Sequence, residues 1–257
     1  RANMASTTLR QVLSSATDII LPPQPLFGSP ATGDAWHHVT FLDAPCCETC
    51  GFPFEYDVGA GSLCGDCLAR PPSYDRARAA FVYDEISRSP VLAFKHGGRT
   101  EGLHAFSAHM YRAGRSFWPG ANIIIPVPLH ASRLIKRRFN QSALLARKLA
   151  RMSGVPLGTD ALYRTRATPS QGAQTAAGRR RNVQGAFSVP VNMRASLAGK
   201  HVVLVDDVMT TGATINACAR TLKKAGASYI DVITLARTVR QHTAPHTVPH
   251  GEPNAQS

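Results

Sequence analysis

Apolar residues along this chain fall into two kinds of run. Short unbroken stretches occur at 123–125 (Ile123, Ile124, Ile125), at 202–205 (Val202, Val203, Leu204, Val205), and at 79–83 with Ala79, Ala80, Phe81, Val82 and Tyr83, and 230–235 gives a further strand. Runs of this length without polar alternation predict strands buried on both faces, the pattern of a parallel sheet. Between them apolar residues recur at helical spacing: Leu103, Phe106, Met110 and Tyr111; Leu144, Leu145 and Leu149, stopping near Gly154; and Ile215, Ala219, Leu222 and Ala225. Residues 90–95 are expected to be the start of a short helix, and another is expected over about 9–20, ahead of Pro22, Pro23, Pro25 and Pro30, which force an extended passage. Strands alternating with helices define the fold class as α/β, with a mainly parallel sheet flanked by helices.

The stretch that follows Val205 carries candidate chemistry. Asp206 and Asp207 stand at the expected strand end, and Thr210, Thr211, Gly212, Ala213 and Thr214 lead into the next helix. Glycine lets the backbone turn tightly and approach a ligand, threonine hydroxyls donate hydrogen bonds, and the helix points unpaired N–H groups into the turn. These are the parts of a phosphate cradle. The two carboxylates accept hydrogen bonds only, which suits ribose hydroxyls or an Mg²⁺ ion held through water. Neither the G-x-x-x-x-G-K-[ST] nor the G-x-G-x-x-G pattern is present in the stretch. The alternative reading is a strand, turn and helix whose aspartates merely cap the helix.

Two other segments belong beside this one. Ile123, Ile124 and Ile125 run into Pro126-Val127-Pro128-Leu129-His130, followed by Arg133, Lys136, Arg137 and Arg138. Ligands in open parallel sheets bind beyond the carboxyl ends of strands, which places this loop next to Asp206. The segment 165–184 is almost devoid of apolar residues and holds Arg179, Arg180 and Arg181. Such a segment reads either as a lid whose arginines cover a pyrophosphate or as a solvated loop. Lys95-His96-Gly97-Gly98-Arg99 reads equally as a phosphate-binding turn or as an ordinary helix end with a glycine cap.

Cysteine usage splits the chain. Five of the six cysteines lie between Cys46 and Cys67, and Cys218 stands alone in the helix after the threonine-rich turn. Cys47-Glu48-Thr49-Cys50 and Cys64-Gly65-Asp66-Cys67 are two C-x-x-C knuckles, separated by a loop slightly shorter than usual but rich in glycine. Four thiolates on Zn²⁺ make a closed structural site. Cys46 reads as a bystander, with an exchange of roles with Cys47 left open.

The sequence has a net charge of +13. That suits an anionic ligand or nucleic acid, with a simply solvated basic surface as the plain alternative. No run reaches the length of a membrane span, and the N-terminal residues lack the apolar core of a secretory signal, so a cytoplasmic location is the default expectation. His242, His246 and His250 punctuate a tail expected to be disordered.

The run Val203-Leu204-Val205-Asp206-Asp207-Val208-Met209-Thr210-Thr211-Gly212-Ala213-Thr214 resembles the signature with which type I phosphoribosyltransferases bind phosphoribosyl pyrophosphate (PRPP). With Cys47-x-x-Cys50-Gly51-Phe52-Pro53-Phe54, Pro71-Pro72-Ser73-Tyr74-Asp75-Arg76, Pro126-Val127-Pro128-Leu129-His130, Phe139-Asn140-Gln141 and Ser170-Gln171 preceding Arg180-Arg181-Asn182, it resembles the ComF competence-protein family. That resemblance implies a type I phosphoribosyltransferase-like fold with a small N-terminal zinc ribbon. It divides the chain into an N-terminal segment (1–45), the ribbon (46–72), the phosphoribosyltransferase-like domain (73–240) and a tail (241–257). It implies PRPP binding by Val205, Asp206, Asp207, Thr210, Thr211, Gly212, Ala213, Thr214, Pro128, Leu129 and Arg133, catalytic roles for Asp206, Asp207 and Arg181, and a structural Zn²⁺ on Cys47, Cys50, Cys64 and Cys67. Mg²⁺ would accompany PRPP, and phosphoribosyl would pass to an acceptor with loss of pyrophosphate. The alternative it implies is a non-catalytic accessory of DNA uptake that binds single-stranded DNA, uses the phosphate loop for binding or sensing, and works with the uptake machinery.

Overall fold

In the computed structural model, residues 38–96, 102–130, 139–166, 183 and 185–239 are described. The expected helix at 9–20, the histidine-bearing tail, and Arg133, Lys136, Arg137, Arg138, Arg179, Arg180 and Arg181 lie outside them.

Four strands form one all-parallel sheet in the order β1–β6–β5–β2: β1 (Arg76–Val82), β2 (Ile123–Pro126), β5 (His201–Met209) and β6 (Tyr229–Arg237). A separate two-stranded antiparallel ribbon pairs β3 (Tyr163–Arg164) with β4 (Phe187–Ser188). The helices are α1 (Gly65–Ala69), α2 (Glu85–His96), α3 (Leu103–Ala113), α4 (Gln141–Ser153), α5 (Val191–Leu197) and α6 (Ala213–Lys224).

Alternation along the strands sorts the core into two layers. Ile125, Val202, Leu204, Ile230 and Val232 face one way, and Ile215, Ala219 and Leu222 of α6, Leu197 of α5 and the cysteine-bearing segment cover them. Ile124, Val203, Val205, Ile233 and Leu235 face the other way, against Val91 and Phe94 of α2, Phe106 and Met110 of α3, and Leu145 and Leu149 of α4. Val202, Val203, Leu204 and Val205 are all fully buried, as their unbroken apolar run requires.

The structure moves several expected boundaries. β5 continues through Asp206 and Asp207 to Met209, because the ladder to β6 carries on through Asp206↔Thr234, Val208↔Ala236 and Met209↔Arg237. Backbone pairing is indifferent to side-chain polarity, so the carboxylates sit within the strand rather than after it. β1 begins at Arg76, ahead of the apolar run. Helix α2 begins at Glu85, with Pro90 inside it, because Asp84 and Ser87 cap reciprocally: Ser87 N donates to Asp84 Oδ1 at 2.9 Å and Asp84 N to Ser87 Oγ at 2.9 Å. In α4 the buried face is Gln141, Ser142, Leu145, Ala146 and Leu149, with Leu144 half-buried. The β3–β4 pair and α5 had no sequence signal, since two-residue strands are too short to show a period.

At the amino ends of the strands a buried carboxylate gathers two basic side chains. Asp231, fully buried, accepts from Arg76 Nε at 2.9 Å and Nη2 at 2.8 Å, and its Oδ2 lies 2.8 Å from His201 Nε2. This ties β1, β5 and β6 together across the sheet. Replacing Asp231 with alanine strands both partners, and urea unfolding is expected to show a loss toward the lower end of about 3–5 kcal/mol, because Arg76 keeps some solvent contact.

Candidate functional site

The carboxyl ends of β2 and β5 lie side by side. Ile123, Ile124, Ile125 and Pro126 pair with Val202, Val203, Leu204 and Val205, and Val127 N then donates to Val205 O at 2.8 Å. The loop holding Pro128 and Leu129 therefore leaves the sheet next to Asp206. Asn140 fixes the start of α4 at the same place: its Oδ1 caps the amides of Ser142 at 3.0 Å and Ala143 at 3.4 Å, while Nδ2 donates to Val127 O at 3.1 Å. Ser142 Oγ donates to Asp206 Oδ1 at 3.0 Å, so α4 aims one of the two carboxylates. The same oxygen accepts from Asp207 N at 2.9 Å, and Asp207 Oδ1 accepts from Val208 N at 2.6 Å.

Past the strand, Thr210 is exposed, Thr211 and Thr214 are half-buried, and Gly212 and Ala213 are buried. Gly212 has a φ of 68°, the left-handed conformation that lets the chain reverse into α6. Its carbonyl accepts from Asn216 N at 2.8 Å and Asn216 Nδ2 at 3.2 Å. Asn216 Oδ1 in turn accepts from Ser73 N at 2.7 Å, tying the turn to the chain that follows the cysteines. Just past β6, Thr238 N donates to Met209 O at 3.0 Å and Thr238 Oγ1 to Thr210 O at 3.3 Å. The turn that opens α6 is thus braced from three sides. Cys218 lies beneath it, fully buried, and burial followed by the nearby Asp206 charge pushes its thiol well above the usual range. It stays protonated and belongs to the core.

Val205, Asp206, Asp207, Thr210, Thr211, Gly212, Ala213, Thr214, Pro128 and Leu129 are thus gathered at one edge of the sheet. Ser142, Asn216 and Thr238 were missed in the sequence. Asn140 carried a legible signal, a cap-forming residue directly before a helical stripe, but the partners of the other three are set by packing.

The cysteine cluster is built on the opposite edge strand, β1. The Sγ atoms of Cys47, Cys50, Cys64 and Cys67 all lie within 4.8 Å of one another, and those of Cys50 and Cys64 are 3.6 Å apart. Zn–S bonds of about 2.3 Å at tetrahedral angles separate sulfurs by about 3.8 Å, so the four thiols fit one zinc ion. Cys46 is outside this group and bridges to Pro53. Gly51 lets the first knuckle lie flat on the sheet: with φ at 66°, a Cβ there would stand 2.5 Å from Ala77 O. Ala77 N donates to Thr49 O at 2.6 Å. Cys47, Cys50 and Cys67 share one apolar cluster with Ala77, Leu204 and Val232.

A parallel sheet with paired acids and a threonine-glycine turn at the carboxyl end of a central strand, covered by helices on both faces, is a type I phosphoribosyltransferase-like fold. Residues 140–248 match the phosphoribosyl transferase domain model. The chain belongs to the ComF family, as its relatives show. It is 32% identical to the DNA utilization protein YhgH of Escherichia coli O157:H7, over 77% of this chain and 86% of that one. It is 32% identical to competence protein F of Haemophilus influenzae, over 75% and 85%, and 28% identical to competence protein ComFC of Bacillus subtilis, over 75% and 78%.

A hydrogen bond from Cys50 lowers the Cys47 thiol and in turn raises Cys50, and burial raises Cys67. A metal ion must therefore displace protons from Cys50 and Cys67. Zinc affinity is expected to fall on acidification, by about tenfold per pH unit for each proton displaced, measured by competition with a chelator. Cys46→Ser is expected to retain one zinc per chain and Cys47→Ser to lose it.

Proposed function

We propose that this chain binds PRPP at the carboxyl edge of the sheet and transfers its phosphoribosyl group to an acceptor, releasing pyrophosphate. The observation that carries this reading is the pair Asp206 and Asp207 toward the carboxyl end of a buried central strand that runs into a left-handed glycine turn opening a helix. Asp206 and Asp207 would accept hydrogen bonds from the two ribose hydroxyls, and their negative charge stabilises the positive charge that develops on the ribose ring as the bond at C1 breaks. Thr210, Thr211, Gly212, Ala213 and Thr214 would hold the 5-phosphate with hydroxyls and helix-terminal amides. Pro128 and Leu129 would line the pyrophosphate side. Arg133 and Arg181, outside the described residues, are assigned to the pyrophosphate itself. Mg²⁺, held through water by the two aspartates, would supply further neutralisation of the leaving group. In this reading 46–72 is a zinc module and 73–240 the catalytic unit.

Titration calorimetry of Mg²⁺-PRPP into zinc-loaded protein tests this. Micromolar binding is expected, weakened at least about 100-fold by joint Asp206→Asn and Asp207→Asn replacement, which removes two charge-assisted contacts of about 1.5–3 kcal/mol each. No binding to the wild type would sink the proposal.

A second reading has support of its own. Relatives are named for competence and DNA utilization, and the sequence has a net charge of +13. A groove of about 500 Å³ between β4, α5 and α6 is lined by Arg194, Arg220 and Lys224 and by no carboxylate among the described residues. A DNA-uptake accessory would use such a surface for the phosphates of a single strand, with no turnover. Its affinity would fall with salt by about 0.7 logarithmic units per logarithmic unit for each phosphate neutralised. Replacing the three groove cations with alanine is expected to flatten that slope in fluorescence titrations and to leave PRPP binding unchanged. A slope that does not move excludes the groove as the contact surface.

No helix among the described residues is long and apolar enough to cross a membrane.

A further inference from the structure

Arg237 ends β6 and is only 7% exposed. Among the described residues no carboxylate pairs with it, and its buried Nε has no hydrogen-bond partner. What it faces is the cysteine cluster. Nη1 donates to Cys50 O and lies 3.8 Å from Cys50 Sγ, and the guanidinium stands 5.5 Å from the centre of the Phe52 ring. A guanidinium stays charged at any ordinary pH, and a charge is buried only where an opposite charge answers it. Four thiolates around a divalent ion carry two net negative charges, and the first knuckle brings that charge to Arg237.

The residue on either side of this contact leads to the phosphate loop. Arg237 is the register partner of Met209, and Thr238 holds Met209 O and Thr210 O through its amide and hydroxyl. On the far side of the turn Asn216 bonds both Gly212 O and Ser73 N, the latter a few residues after Cys67. Two short tethers thus run from the metal cluster to the 210–214 turn.

We infer that Arg237 is the counter-charge of a metal-loaded cysteine cluster and, with Thr238, the strut through which metal occupancy holds the 210–214 turn in its ligand-ready shape. The residue positions two sites and touches no reacting atom. This rests on the turn being the ligand site, so its test uses readouts that need no PRPP.

The first readout is transfer of zinc from the protein to a chromogenic chelator. Arg237→Gln is expected to speed transfer or weaken retention by about 10–100-fold, the usual effect of losing a partner of a metal ligand, and Arg237→Lys to restore part of it. The second is amide hydrogen exchange over 206–216, compared between zinc-loaded and chelator-stripped wild type whose circular dichroism is unchanged. Stripping is expected to accelerate exchange there, and Thr238→Val to accelerate it while zinc is retained at the wild-type rate. Wild-type zinc retention in Arg237→Gln overturns the counter-charge. If that variant does not fold, the stripped wild type and Thr238→Val decide: unchanged exchange over 206–216 in both overturns the strut. Failure of PRPP to bind would sink the proposed function and leave these readouts standing.

Discussion

The parallel pairing of β5 between β2 and β6 is the constraint from which the rest follows. Val202 and Leu204 fill one layer of the core while Val203 and Val205 fill the other, so β5 can neither rotate nor slip by one residue without exchanging its layers. Register with β2 brings Pro128 and Leu129 beside Asp206, and register with β6 puts Thr238 against the turn at Thr210. The candidate site is therefore not built by one motif. It is the place where three chain segments are brought level by the ladder.

The two ends of the sheet carry different loads. At the amino ends, Asp231 satisfies Arg76 and lies against His201, a closed arrangement with little left over for a ligand. At the carboxyl ends, Ser142 and a backbone amide aim Asp206, Asp207 accepts from Val208 N, and Arg237 turns away toward the cysteines. A polar edge with oriented acceptors and a helix amino terminus is what a phosphorylated sugar would need.

The cysteine cluster belongs to the same fabric. Cys47, Cys50 and Cys67 lie in the core layer beneath the sheet rather than on a separate lobe, and Gly51 permits a contact with β1 that no side chain would allow. A metal ion there would lock the edge strand as well as its own knuckles. That links the folding of the small cysteine segment to the sheet that carries Asp206.

By itself the sequence determined the elements and the chemistry that local spacing encodes. Unbroken β-branched runs mark strands buried on both faces, two C-x-x-C knuckles mark four thiols that converge, and residues 206–214 set two acids and a threonine-glycine turn close together in the chain. Those features need only neighbours in the chain. The tertiary structure alone decided which distant residues support them: Ser142 on Asp206, Asn216 between Ser73 and Gly212, Thr238 behind Thr210, and Arg237 against Cys50. An isolated serine, asparagine or arginine has no periodicity, and its partner is chosen by strand register and helix packing across 64, 143 and 187 residues of chain respectively. The ends of β5 and α2 were set the same way, by a ladder and a reciprocal cap that continue past the apolar pattern which announced them.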